Sequence, residues 1–199
     1  MSPAEQLRVV ILAAGASSRL GRDKATAPWG KVRLIQHVLS QFPANRVGEL
    51  VVVANPANAE DLRAIVSDRV QVVVNPEPGA EMISSVRVGL AALSATEGPA
   101  CIHPVDVFAL TPGIVAMLHD AWLAEPEKIH LPVVGERGAH PLLLPPRVAS
   151  EVSDLPAGCG LNVIVHRHSD EVVRHPWPDE TLLADIDSPE DYARYAPED

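Results

Sequence analysis

The sequence predicts an α/β domain in which a mostly parallel sheet lies between two layers of helices. Three observations lead there. Short apolar runs alternate with helix-spaced segments over the first 125 residues, the pattern of a doubly wound parallel sheet. Several runs are apolar without interruption, as strands buried on both faces must be. Three of them end in polar or proline turns, at Asn55-Pro56, Asn75-Pro76 and Asp106. Such turns gather polar side chains at the carboxyl edge of the sheet, where these folds bind ligands.

Val9 to Leu12 is the first buried strand. It runs into the small residues Ala13-Ala14-Gly15-Ala16-Ser17-Ser18, with Arg19, Gly21 and Lys24 beyond. Small residues let a backbone approach a ligand closely, and exposed amides beside Arg and Lys suit a polyphosphate. Gly15 and Gly21 are six apart and Lys24 lies three further on, so the Walker A spacing is not met, and G-x-G-x-x-G is absent. Lys31 to Phe42 carries Leu34, Ile35, Val38 and Leu39 at helical spacing, and Pro43 ends it. Glu49 to Ala54 is the second strand, Asn58 to Val66 a short helix and Val70 to Val74 the third strand.

Glu77 to Ser85 is a loop leading into a helix that Ser84 or Ser85 could cap, with Val86, Leu90 and Leu93 on its buried face. Ala100 to Val105 is the fourth strand. Thr111-Pro112 opens the next helix in the favoured cap-then-proline order, with Met117, Leu118 and Trp122 along it. Ile129 to Val134 and His140 to Leu144 are strands around a turn at Gly135–Gly138, and Leu161 to Val165 fits a helix or a strand equally. Glu171 to His175 and Leu182 to Ile186 are late strands. A final helix follows, with Ser188 as cap and Asp191 at its third position.

Composition limits the function. A length of 199 residues fits one domain spanning 1–199, and 47% hydrophobic residues suit an ordinary core. A net charge of −10 leaves no basic stripe for DNA or RNA, though a local cationic pocket remains compatible with a small anion. Two cysteines, Cys101 and Cys159, build no disulfide framework, which fits a reducing cytoplasm. Met1 to Leu7 lacks the apolar core of a signal peptide and the apolar runs are too short to cross a membrane, so neither a leader nor a membrane span is expected. The 19 prolines read as turn punctuation.

The opening stretch matches L-A-A-G-x-S-x-R-L-G-x-x-K at every fixed position, through Leu12, Ala13, Ala14, Gly15, Ser17, Arg19, Leu20, Gly21 and Lys24. Three further landmarks follow in order: P-V-D-V-F-A-L-T-P from Pro104, G-A-H-P-L from Gly138, and D-I-D-S-P-E-D-Y from Asp185. Over nearly its whole length the chain resembles the MobA-like nucleotidyltransferases, the branch with the molybdenum cofactor cytidylyl- and guanylyltransferases. The resemblance implies a Rossmann-like, nucleotide-diphospho-sugar-transferase-like fold. It also implies transfer of a nucleoside monophosphate from an NTP to a small phosphorylated substrate, with pyrophosphate released. Molybdopterin is the expected acceptor, with CTP slightly ahead of GTP.

The attacking phosphate is already anionic, so such chemistry needs alignment and charge neutralisation, not a nucleophile relay. Arg19, Lys24 and Asp106 are the catalytic candidates. Leu12, Ala13, Ala14, Gly15, Ser17, Asn55, Asn75 and Ser84 join Arg19 and Lys24 as the nucleotide-binding set. One or two carboxylates holding Mg²⁺ suit the reaction. Asp106 is the first ligand. Asp187 is favoured over Asp185 for the second, because the resemblance puts the metal-facing residue directly before the Ser-Pro-Glu-Asp. Asp187 or Ser188 could instead only cap the last helix, and Asn55, Asn75 and Ser84 are also ordinary turn residues.

His166 and His168 alternate as a strand metal pair would, but no third ligand is nearby, and they read as surface. Cys159 reads as a small loop residue, and Trp29 and Met82 as packing. Three residues depart from the family: Phe108 replaces a proline, Glu81 a glycine and Asn162 a basic residue. All three are expected near the acceptor. The rival readings are a sugar- or alcohol-phosphate nucleotidyltransferase, and a nucleotide-binding regulatory or chaperone module without catalysis. The expected state is a cytoplasmic monomer or weak dimer, with at most transient contact with a molybdoenzyme.

Overall fold

The structure is a computed structural model and describes residues 2–15, 17, 19–77, 81–94, 98–156 and 158–197. Ala16 and Ser18 of the glycine loop and Pro78 to Ala80 of the predicted loop lie outside the described residues.

Strand β1 (Leu7–Ala13) leads through the loop to a hairpin of β2 (Pro28–Trp29) and β3 (Val32–Arg33), then to α1 (Leu34–Ser40). The helix predicted over Lys31–Phe42 therefore starts later, because the hairpin takes its first turn. Next come β4 (Val47–Ala54), α2 (Ala59–Ile65), β5 (Val70–Val74), α3 (Met82–Ala92), β6 (Ala100–Pro104) and α4 (Pro112–Ala124). The second half holds β7 (Ile129–Val134), β8 (Arg137–Gly138), β9 (Leu142–Leu144), α5 (Pro146–Glu151), α6 (Asn162–Arg167), β10 (Val172–Pro176) and α7 (Pro189–Tyr195).

The main sheet runs β10-β7-β9-β6-β1-β4-β5, with β8 paired on β7. It is parallel except for β8 and β9. From β1 the chain moves outward through β4 to β5, then returns to the other side of β1 as β6. The strand order thus reverses between β1 and β6, whose carboxyl ends lie level at Leu12 and Pro104. That reversal opens a crevice where doubly wound sheets bind ligands.

Strand alternation divides the core. Leu7, Val9, Ile11 and Ala13 face one apolar layer with side chains of α1, α2 and α4. Val10, Leu12 and Ala14 face the other, with side chains of α3, α5 and α6. This is the three-layer arrangement the uninterrupted apolar strands predict.

Gly89 shows how closely α3 sits. A Cβ there would lie 2.2 Å from Val10 Cγ1 and 2.9 Å from Val53 Cγ2. Gly89→Ala gains about 1 kcal/mol of helix propensity but overpacks the interface at a cost of about 1–3 kcal/mol. The variant is expected to unfold at lower urea concentration than the wild type with an unchanged slope.

Several expectations are corrected. Leu182–Ile186 is not a strand: Glu180–Leu183 is a 3₁₀ turn capped by Asp179, and the chain then runs extended to Asp187. Leu182 and Ile186 are both buried in one cluster. Leu161–Val165 resolves as the helix α6, so His166 and His168 do not alternate on a strand. Ser84 and Ser85 do not cap α3; Glu81 holds that position, and Leu93 lies just past the helix end. Helix α5 follows Pro145-Pro146 and is an element that hydrophobic spacing did not reveal. Met82 does not pack, being 52% exposed at the start of α3. Phe108 is buried against Trp29 and Tyr195, with ring centroids 5.1 and 4.9 Å away. Its aromatic ring joins α7 to the hairpin.

Candidate active site

The glycine loop leaves β1 at the reversal point. Asn58 Nδ2 donates to the Ala13 carbonyl at 2.9 Å, and Asn55 Nδ2 reaches the Ala14 carbonyl at 3.4 Å. Leu12 accepts from the Val105 amide at 3.0 Å, which ties the loop's root to the end of β6. Gly15 is exposed, and a methyl placed on it would meet nothing within 4 Å among the described residues. The backbone there presents an open face. Ser17 adopts the left-handed region with φ 49°, uncommon without glycine. Its Oγ accepts from the Lys24 amide at 3.1 Å, folding the loop back on itself. Gly21, at φ 71°, makes the second reversal.

Lys24 is the centre of the charge pattern. Its Nζ donates to Asp106 Oδ2 at 3.0 Å and to Asp187 Oδ1 at 2.5 Å. Arg19 Nη2 donates to Asp187 Oδ2 at 2.5 Å from a mostly exposed side chain. Burial alone would lower the Lys24 pKa, but the hydrogen bond to Asp187 and the charges of both aspartates hold the ammonium above its usual value.

Asp106 sits two residues past β6. His103 within that strand is fully buried, and its Nε2 donates to the Val107 carbonyl at 2.9 Å, bracing the turn that carries Asp106. Burial pushes the His103 imidazole down to about 3, so it stays neutral.

Asp187 is placed by the extended segment before α7. Ile186 donates its amide to the Asp106 carbonyl at 3.2 Å and buries its side chain, while Asp187 reaches Lys24 and Arg19. Ser188 and Asp191 form a capping box, the Asp191 amide reaching Ser188 Oγ at 3.1 Å and the Ser188 amide reaching Asp191 Oδ2 at 2.9 Å. Capping therefore falls to Ser188 and leaves the Asp187 carboxylate to the cations. The Lys24 hydrogen bond holds that carboxyl below its usual range against partial burial, and the charges of Lys24 and Arg19 add to it. Asp185 is exposed; partial desolvation, then the charges of Asp187 and Asp106, raise its pKa.

A carboxyl depressed in the folded state stabilises above its unfolded pKa, about 3.9, and that gain is lost as pH falls through the folded value. The wild type should accordingly outlast Asp187→Asn in urea at neutral pH. The two unfolding curves should converge as the buffer is taken well below about pH 4.

The remaining candidates are brought to the same edge but are committed to the fold. Asn55 is buried, and its Oδ1 accepts from the Ala57 and Asn58 amides at 2.8 and 3.0 Å. It braces the loop and the start of α2. Asn75 is also buried and donates to Ser84 Oγ at 2.8 Å and Ser85 Oγ at 3.0 Å, fastening β5 to α3. Ser84 donates onward to the Glu81 carbonyl at 2.9 Å. Glu81 also faces the segment before α6, with its Oε1 3.8 Å from where a Gly158 Cβ would lie.

Sequence reasoning missed Asn58, Asp23 and His103 as supports. Asp23 accepts from Asn58 Nδ2 at 2.7 Å and from the Thr26 amide at 2.9 Å. The spacing Asn55-x-x-Asn58 after a strand could have flagged Asn58, whereas a lone His103 gives no signal. Beside the loop lies a cavity of about 350 Å³ lined by Ser17, Gly21, Arg22, Asp23, Asn55 and Asp61, among others.

Among the described residues, no three His, Cys, Asp or Glu side chains cluster closely enough to hold an ion by themselves. Two carboxylates converging on one cation fit the other pattern, in which substrate phosphates and water complete the shell of Mg²⁺. No helix among the described residues is long and apolar enough to cross a membrane.

The profile of the MobA-like NTP transferase domain matches residues 9–172. No curated protein matches the chain significantly. Among solved structures, Rv0371c from Mycobacterium tuberculosis H37Rv superposes with a TM-score of 0.80 at 25% identity, covering 96% of this chain and 97% of that one. Its complex with manganese gives 0.77 at 23% identity, with coverage of 96% and 98%. Molybdopterin-guanine dinucleotide biosynthesis protein A from Archaeoglobus fulgidus gives 0.72 at 18% identity, with coverage of 95% and 96%.

Proposed function

Since the chain belongs to the MobA-like NTP transferase family, and is thus a nucleotidyltransferase, we propose that it uses Mg²⁺ to transfer a nucleoside monophosphate from CTP, with GTP second, to molybdopterin. The observation that carries the reading is the Lys24 ammonium between Asp106 and Asp187 at the point where the strand order reverses. The residues 1–199 act as one transferase domain in the cytoplasm, as a monomer or weak dimer. Contact with a molybdoenzyme is transient, and nucleic acid is not a partner.

In this reading the open backbone face at Gly15 and the cations Arg19 and Lys24 receive the triphosphate. The acceptor phosphate oxygen attacks the α-phosphorus, forming one P–O bond. The bond to the α–β bridging oxygen breaks, and its electron pair leaves with pyrophosphate. Asp106 and Asp187 would hold the Mg²⁺ ion, whose chemistry is neutralisation of charge at the α-phosphate. The manganese complex of the M. tuberculosis protein supports a divalent ion in this fold. Asn55, Asn58 and Asp23 keep the loop in position. Asn75 and Ser84 line the same edge and reach a base or ribose only after releasing each other.

The test is pyrophosphate release with each of the four NTPs against molybdopterin, a sugar phosphate and an alcohol phosphate. The expected result is release with CTP above GTP, and only with molybdopterin. Release with a sugar or alcohol phosphate alone would move the acceptor class. No release with any pair, alongside tight NTP binding, would leave a binding module.

A further inference from the structure

We infer that Lys24 is a built-in counterion that keeps Asp106 and Asp187 from loading a divalent ion until a triphosphate arrives to take its ammonium. The inference rests on the metal assignment in the proposed function and adds an order of events to it. Asp106 and Asp187 lie 82 and 163 residues beyond Lys24, and one ammonium draws both carboxylates together. Its side chain is only 14% exposed, so water screens the pair weakly.

The backbone of Lys24 is fixed at both ends. Its amide donates to Ser17 Oγ, and its carbonyl accepts from the Ala27 amide at 3.2 Å. What can move is the four-carbon stem, and a compact ammonium on a flexible stem can exchange one anion for another. A divalent ion and the ammonium are rivals for the same carboxylate oxygens, since like charges cannot share them at contact distance. Withdrawing Lys24 from both carboxylates is unfavourable unless another anion receives it. The open face at Gly15, on the same loop, is where phosphate oxygens would offer that exchange. Of the two carboxylates, Arg19 pairs with that of Asp187 among the described residues, and it is 74% exposed, so it restrains the ion far less.

The test uses the full chain without nucleotide. Mn²⁺ affinity is measured by electron paramagnetic resonance for the wild type, Lys24→Met and Arg19→Met. Lys24→Met should bind Mn²⁺ about tenfold more tightly or better, while Arg19→Met should shift by less than about threefold. Equal or weaker binding by a folded Lys24→Met would overturn the inference. A second measurement needs no variant. The chain has three lysines, Lys24, Lys31 and Lys128, and Lys31 is exposed. Saturating Mn²⁺ should raise acetylation of Lys24 several-fold relative to Lys31, read by peptide mass spectrometry. Unchanged labelling at saturation would also overturn it. Mn²⁺ bound as tightly by the wild type as by Lys24→Met would leave the metal assignment standing and sink only the counterion role. Failure of every form to bind Mn²⁺, even with a non-hydrolysable NTP, would sink both.

Discussion

Asp106→Asn should lower kcat by about 10²–10³-fold, the loss typical when one preorganised group that stabilises developing charge is removed. Its fold should survive, because the backbone tie from Ile186 to the Asp106 carbonyl does not depend on the side chain. The ion pair removed is half-buried, and the asparagine amide oxygen can still accept from Lys24. Asp187→Asn should act in the same direction but less severely, since an amide oxygen can still ligate. Asp185→Asn is the control: Asp185 lies two residues before Asp187, and the carboxylates bonded to Lys24 and Arg19 are those of Asp106 and Asp187. Single-turnover rates with saturating NTP, compared with urea midpoints, separate chemistry from stability. A larger loss at Asp185 than at Asp187 would move the second ligand by two residues. Wild-type turnover in Asp106→Asn would remove the metal from this edge.

The second large effect is expected at Lys24. Lys24→Ala removes the cation best placed to contact both the carboxylates and an incoming triphosphate. Losing a charge-assisted contact should cost about 1.5–3 kcal/mol of transition-state stabilisation, read as a fall in kcat/KM. Part of the expected loss reflects the two carboxylates left facing each other, which raises the affinity of one of them for a proton. The fall should therefore shrink at high Mg²⁺ concentration, where the ion neutralises the pair. Unchanged kinetics in the folded variant would mean that the triphosphate binds elsewhere.

Much of this site is legible in the sequence because its parts are local. The order strand, small-residue loop, cation is written into consecutive residues from Val9 to Lys24. Asp106 is marked by the end of an apolar run, and Ser188 with Asp191 by the spacing of a capping box. The helix-capping ambiguity at Asp187 is settled only by folding, because Ser188 takes the cap and a lysine from 163 residues earlier takes the carboxylate. Asn55 and Asn75 were visible as strand-end amides, yet which way an amide turns depends on partners such as Ala14, Ser84 and Ser85 that no local pattern reveals.

By itself, the sequence determined the alternation of strands and helices, the two-faced burial of the first strands, and the family signature, since each is a property of neighbours along the chain. The tertiary structure decided the strand order, and with it the crevice between β1 and β6. It decided that Phe108 belongs to an aromatic core and that Leu182–Ile186 is a turn and an extended segment. It decided, above all, that one half-buried ammonium joins two distant carboxylates. Side-chain charge pairing is set by three-dimensional distance and low local dielectric, and sequence separation carries no information about either.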